Sequence, residues 1–227
     1  MDLVKHYNDL YNISIHEIKK DNYITDPLID DVTDQRLGIT LIIRPSKKVK
    51  NNIQKFLDVL KQVDPSQYYY PNSDMHITVM SIISCYNGFA LDKISIPDYV
   101  DLIKKSLQNI KPFQIHFKGI TASTSSNMVQ GFPENASLNT LRDNLRQNFK
   151  NSNLEQSLDK RYAIQTAHST IVRFKHELKQ KNDFLRTLED FKDYDFGSFE
   201  VNEVLLVFND WYLRKERTKI LEFFSIP

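Results

Sequence analysis

Short β-branched runs and amphipathic helical spacings follow one another along this chain in a mixed order, and that order limits the folds open to it more than any other feature. Leu37-Gly38-Ile39-Thr40-Leu41-Ile42-Ile43 is a β-rich run stopped by Pro45 and predicts a first strand. Val49, Ile53, Phe56, Leu57, Leu60 and Val63 then recur at helical steps. Met75 to Ile83 is apolar and β-rich, and a helix near 98–110 follows, entered through Ser95 and Pro97. Phe113, Ile115 and Phe117 alternate with Gln114, His116 and Lys118, the period of a half-exposed strand over 112–122. A short strand at 128–132, a helix through Leu138, Leu141, Leu145 and Phe149, a polar connection over 151–159, a strand over 163–174, a helix over 178–191 and strands near 199–208 and 217–225 complete the reading. Because helices and strands are not strictly alternated, the expectation is α+β with antiparallel sheets rather than a doubly wound parallel sheet. Residues 1–35 stand apart as an accessory segment with a short helix, and 36–227 read as a single domain with a hint of internal duplication.

Charge and cysteine content narrow the chemistry. The 227 residues carry 30 Lys+Arg against 29 Asp+Glu, a formal net charge of +1, which argues against a long polyanion as the main partner. Cys85 is the one cysteine, so an intramolecular disulfide and a multi-cysteine zinc site are excluded, and a reducing, cytoplasmic setting is expected. No apolar run approaches a membrane span. Phosphate loops, dinucleotide-binding glycine patterns, zincin motifs and nucleophile elbows are all missing, so neither a nucleotide cofactor nor a catalytic metal is expected.

Two triplets remain: His76-Ile77-Thr78, followed by Val79, and His168-Ser169-Thr170, followed by Ile171, with the histidines 92 positions apart. Both fall in predicted strands, where His76 and Thr78 share one face and His168 and Thr170 share another. A hydroxyl two residues from an imidazole can donate to the oxyanion on which that imidazole acts. Either histidine alone could be a partly buried strand residue bonded to a neighbour. The pair is informative because both are His-x-Thr-aliphatic and each occupies a corresponding place in its half of the chain.

In these motifs and in the order of elements from about Arg36 onward, the sequence resembles the two-histidine (2H) phosphoesterases, which include the RNA 2′,5′-ligase-like proteins and cyclic phosphodiesterases. The resemblance implies a two-lobed α+β fold of pseudo-twofold symmetry, with antiparallel sheets, helices on the outer faces and one motif from each lobe facing a central groove. It further implies that His76 and His168 form the catalytic pair and that Thr78 and Thr170 are phosphate-binding hydroxyls.

Those residue types suit the chemistry: opening a 2′,3′-cyclic phosphate takes a base for the attacking water and an acid for the departing ribose oxygen, and two imidazoles can supply both. The expected function is therefore a metal-independent phosphodiesterase acting on 2′,3′-cyclic phosphate or 2′,5′-linked RNA or nucleotide substrates. Its partner is a phosphorylated nucleotide or a short RNA end, with no membrane and no obligate protein partner. A hydrolase of a small signalling nucleotide and a non-catalytic module binding a phospho-ligand or RNA end are the alternatives.

Arg173 is a candidate phosphate contact on the resemblance, although ideal strand parity turns it away from His168. Tyr70, in the run Tyr68-Tyr69-Tyr70, is a candidate stacking ring at the groove mouth, with packing as the alternative. His6, His16, His116 and His176 are expected on the surface. Trp211 and Tyr212 are expected in the connection between the last two strands, Ser123-Thr124-Ser125-Ser126 as an ordinary turn, and Asp30, Asp31 and Asp34 in a solvated one.

Overall fold

The computed structural model describes residues 1–160 and 163–226. Helix α1 (Leu3–Lys19) starts at Asp2, whose carboxylate caps the Lys5 amide, and buries Tyr7, Tyr11, Ser14 and Ile18. Strand β1 (Arg36–Ile43) ends before Pro45, and Ser46 then caps α2 (Lys47–Val63), whose stripe Val49, Ile53, Phe56, Leu57 and Leu60 is buried. There follow β2 (Tyr68–Tyr69), β3 (Ile77–Asn87), α3 (Ile96–Ser106), β4 (Phe113–Ser123), β5 (Ser126–Pro133), α4 (Ser137–Lys150), β6 (Ser169–Arg173), α5 (Lys181–Asp190), β7 (Asp195–Val201), β8 (Glu203–Asp210) and β9 (Lys219–Ser225).

The strands form two sheets, β3-β1-β8-β9 and β2-β6-β5-β4-β7, in which every pairing is antiparallel. The expected α+β class with antiparallel sheets is what the chain adopts. Apart from the short β2, the two sheets have matching orders: β3, β1, β8 and β9 of one correspond to β6, β5, β4 and β7 of the other. In each half a helix links the first two corresponding strands and packs on the opposite sheet. Thus α2, after β1, lies against β7, where Asn52 donates to the Phe196 carbonyl at 3.0 Å and Phe56 meets Phe196. Likewise α4, after β5, reaches β3 through Arg142. These exchanged helices lock the halves into one core.

Several expectations change. The run over 199–208 is two strands in different sheets, divided at Asn202, a break of a single residue between two β-rich runs. The strand expected over 163–174 is only Ser169–Arg173, and His76 also precedes its strand by one residue, so both histidines sit at strand entrances. Tyr68–Tyr69 is a strand paired with Arg173 and Val172. Asp34 is buried rather than solvated, chelated by Arg36 at 2.9 and 2.7 Å. The first 35 residues are packed into the same body: Tyr11 donates to Glu189 at 2.7 Å, and Thr121 donates to the Tyr7 carbonyl at 3.1 Å. Among the described residues no helix is long and apolar enough to cross a membrane.

Candidate active site

A groove of about 670 Å³ runs between the sheets and is lined by both triplets: His76 and Thr78 from one, His168 and Thr170 from the other. Each imidazole is held at Nδ1. That of His76 meets the Asp74 carbonyl at 2.7 Å, and that of His168 meets the Thr166 hydroxyl at 2.7 Å. A carbonyl can only accept, so the first bond places the hydrogen on His76 Nδ1 and leaves an Nε2 lone pair. The Thr166 hydroxyl can give or take a proton, so the second bond is compatible with either His168 tautomer.

Desolvation is the main reason both rings favour the neutral state. It pushes His76 down to about 3, assisted by the positive charges of Arg44 and Arg173 and opposed by the bond to Asp74. It pushes His168 down to about 4, assisted by Arg142 and Arg173.

Strand irregularity shapes the rest of the groove. Between β5 and β6, Asn127 pairs with Val172 and Met128 with Thr170, so Ile171 is an extra residue. Ile171 and Val172 are both fully buried, and the parity of β6 is reset after them. Arg173 therefore lines the groove with His168 and Thr170, and the turn-away expected from ideal parity is corrected. Its Nε donates to the Tyr70 hydroxyl at 2.9 Å, and its guanidinium lies 5.6 Å from the Tyr212 ring centroid. Tyr70 is only 1% exposed, so it is no stacking ring at the mouth: its hydroxyl orients Arg173 from the groove wall. In β3 three register shifts against β1 likewise bring Thr78, Ser81 and Ser84 to the groove at intervals of three.

Other sequence expectations divide. Ser123, Ser125 and Ser126 are groove-lining residues whose hydroxyls bond one another across the turn, and Trp211 lines the groove beside Arg36, whose guanidinium is 4.8 Å from the ring centroid. Tyr212 is buried and bonded to Asp26. His6 is exposed but forms part of the groove wall, together with Tyr7 and Leu10 of α1. His16 and His176 are exposed, and His116 bonds Asp195 at 2.8 Å on the surface. Among the described residues, no group of three His, Cys, Asp or Glu side chains could hold a metal ion.

Thr166 and Arg142 escaped the sequence reading. Thr166-x-His168-x-Thr170 extends the alternation of the second triplet by one step and was a usable signal. Arg142 offered none. It is 1% exposed within an otherwise apolar helical stripe, and its guanidinium donates to the carbonyls of Thr78, Val79 and Thr166 at 2.9, 3.0 and 2.8 Å. One buried cation thus ties together the backbones of both motifs.

A protein-family model described as an AKAP7 2'5' RNA ligase-like domain matches residues 37–211. The chain belongs to the two-histidine phosphoesterase family. Among solved structures this phosphoesterase chain is similar to TT0787 of Thermus thermophilus, at 16% identity over 83% of this chain and 97% of that one, with a TM-score of 0.59. It is also similar to E. coli LigT complexed with 3'-AMP, at 13% identity over 85% and 98%, with a TM-score of 0.56. ATU0111 of Agrobacterium tumefaciens, described as a conserved protein of unknown function, aligns at 13% identity over 96% and 99%, with a TM-score of 0.56. No curated protein matches the sequence. At these identities the structural likenesses establish the two-histidine phosphoesterase fold.

Proposed function

We propose that the groove is the active site of a metal-independent phosphodiesterase, opening 2′,3′-cyclic phosphates or cleaving 2′,5′-linked nucleotides, with His76 and His168 as the acid–base pair. The observation that carries this reading is the symmetric presentation of two imidazoles in one groove, each tied at Nδ1 and each followed by a threonine two residues on. The 3'-AMP complex of E. coli LigT, a protein of the same fold, supports the substrate class.

His76, with its Nε2 lone pair, is suited to take the proton from attacking water, while His168 delivers one to the departing ribose oxygen. The oxygen of water forms the new bond to phosphorus as the bond to that ribose oxygen breaks. Thr78 and Thr170 donate to the non-bridging oxygens, and Arg173 offsets their charge. Both imidazoles favour the neutral state, so the anionic substrate also prepares its own acid, its phosphate raising the affinity of His168 for the proton it must deliver. Trp211, on the groove wall, offers a face for a base.

The test is turnover of a panel of 2′,3′-cyclic nucleotides and short 2′,5′-linked oligonucleotides in EDTA, with His76→Ala and His168→Ala alongside. Hydrolysis that survives the chelator and is lost in both variants supports the reading. Activity indifferent to either histidine overturns it.

A further inference from the structure

The matched family domain begins at residue 37, yet helix α1 lines the same groove as the second histidine. Tyr7, only 1% exposed, places its hydroxyl on the backbone of β5, donating to the Gly131 carbonyl at 3.2 Å and accepting from the Gly131 amide at 3.3 Å. Tyr7 lines the same groove as Thr166, and the Thr166 side chain and the Ala167 backbone both ease its ionisation. Burial nevertheless pushes the phenol up to about 12, so it keeps its proton at any working pH. Thr166 in turn holds His168 Nδ1 at 2.7 Å, and its carbonyl is fixed by Arg142 at 2.8 Å.

The contact is built rather than incidental. The backbones of β5 and of the segment before His168 approach so closely that a Cβ at Gly131 would stand 2.0 Å from the Ala167 carbonyl oxygen. The helix is fixed at the same turn by Thr121, which donates to the Tyr7 carbonyl.

We propose that Tyr7 and Thr166 are positioning residues for His168, so that α1 belongs to the catalytic machinery although it lies outside the matched domain. The physical reason is tautomer control. Which nitrogen of an imidazole carries the proton is set by the bond made at the other nitrogen, and here that bond comes from a hydroxyl able to donate or accept. Tyr7, anchored to the Gly131 backbone where β5 crosses the Ala167 carbonyl, holds the segment that carries Thr166 and so fixes both the proton on His168 and the aim of its Nε2. The proposal rests on the acid–base role given to His168 above, and its test includes a measurement that needs no turnover.

The variants are Tyr7→Phe, Thr166→Val and the double variant, with Tyr11→Phe as control. Tyr11 is an equally buried tyrosine on the same helix whose hydroxyl bonds Glu189. Each protein is assayed for kcat and KM on the best 2′,3′-cyclic nucleotide, and the ring nitrogens of His168 are followed by ¹⁵N NMR without substrate. The expected result is a kcat lowered about 10-fold by Tyr7→Phe, with KM within about twofold, since small misplacements of a reacting group cost up to ~10²-fold. The His168 resonances move, the double variant is no worse than Thr166→Val alone, and Tyr11→Phe behaves as the parent.

Unmoved His168 resonances with full kcat in Tyr7→Phe overturn the proposal. So do losses that multiply in the double variant, or an equal loss in Tyr11→Phe. If no phosphodiester is turned over, the NMR comparison of Tyr7→Phe with Tyr11→Phe still decides the coupling while the phosphodiesterase reading fails separately. If Tyr7→Phe does not fold, unmoved His168 resonances in Thr166→Val overturn the proposal from the other side.

Discussion

Arg173 and Ser81 occupy matching places in the two halves: each follows a groove histidine by five residues and lines the groove, yet only Arg173 is charged. Both reach the groove through register shifts in their strands. The two matching places therefore differ in charge, and the guanidinium is anchored to Tyr70 on its wall. Arg173→Ala is expected to lower kcat/KM by about 10–100-fold, the loss of one charge-assisted bond to the phosphate, with Arg173→Lys intermediate because it lacks the planar fork. Steady-state kinetics on one cyclic nucleotide checks this. Wild-type kcat/KM in Arg173→Ala would remove the guanidinium from the phosphate site.

For the histidines, replacement by Ala at either position is expected to lower kcat by about 10²–10⁴-fold, and the double replacement no further than the worse single one, since acid and base act as a unit. Circular dichroism and thermal melts of the variants separate lost chemistry from lost fold.

The depressed imidazoles make an acid-stability prediction whose sign is fixed by linkage. In the folded protein they titrate near 3 and 4, whereas in the unfolded chain they titrate near the ordinary value of 6.5. The unfolded state therefore binds more protons between about pH 6.5 and 3, and stability falls as the pH is lowered through that window. Gln at both positions removes this contribution. Denaturant midpoints measured at pH 7 and pH 5 should differ less for His76→Gln/His168→Gln than for the parent.

Arg142 gives a prediction in which stability and activity change together. Arg142→Met leaves three buried carbonyls without their donor, at a cost of about 1–3 kcal/mol for each one that finds no replacement. A lowered melting temperature and a lowered kcat are both expected. Arg142→Lys, which keeps the charge but not the fork, should fall between parent and Met.

At Gly131 the β5 backbone passes the segment leading to His168, and a methyl group would have to displace the Ala167 carbonyl. Gly131→Ala is expected to reduce kcat by about 10-fold or more through movement of His168, a larger loss than its change in melting temperature would suggest. An unchanged kcat would mean that the strand, not the histidine segment, yields.

Much of this was legible in the sequence, for identifiable reasons. The triplets stood out because a His-x-Thr pair at the entrance of a strand needs only period two to bring imidazole and hydroxyl together, and Val49 to Leu60 traced α2 by spacing alone. Bulges were invisible: nothing in Ser169-Thr170-Ile171-Val172-Arg173 says that Ile171 is extra, so parity misdirected Arg173. The sheet change at Asn202 was hidden because the two strands abut with one residue between them, too short a break to read as a connection. Arg142 was lost because a buried cation bound to backbone carbonyls depends on partners far away in sequence, two of them on β3.

That switch at Asn202 also bears on how the site is made. The sheet that carries Thr78, with His76 at the entrance of its strand, has β1 as an inner strand, and β1 pairs on one side with β8, whose residues lie more than 160 positions later, from Leu37 opposite Asp210 to Ile42 opposite Leu205. The strands of the other sheet all lie between Tyr68 and Val201. Loop closure over such a span is slow compared with local pairing. During synthesis the half bearing His168 can therefore assemble first, while β1 stays open on one flank until β8 emerges, so the groove, and with it any catalysis, is among the last features of the molecule to exist.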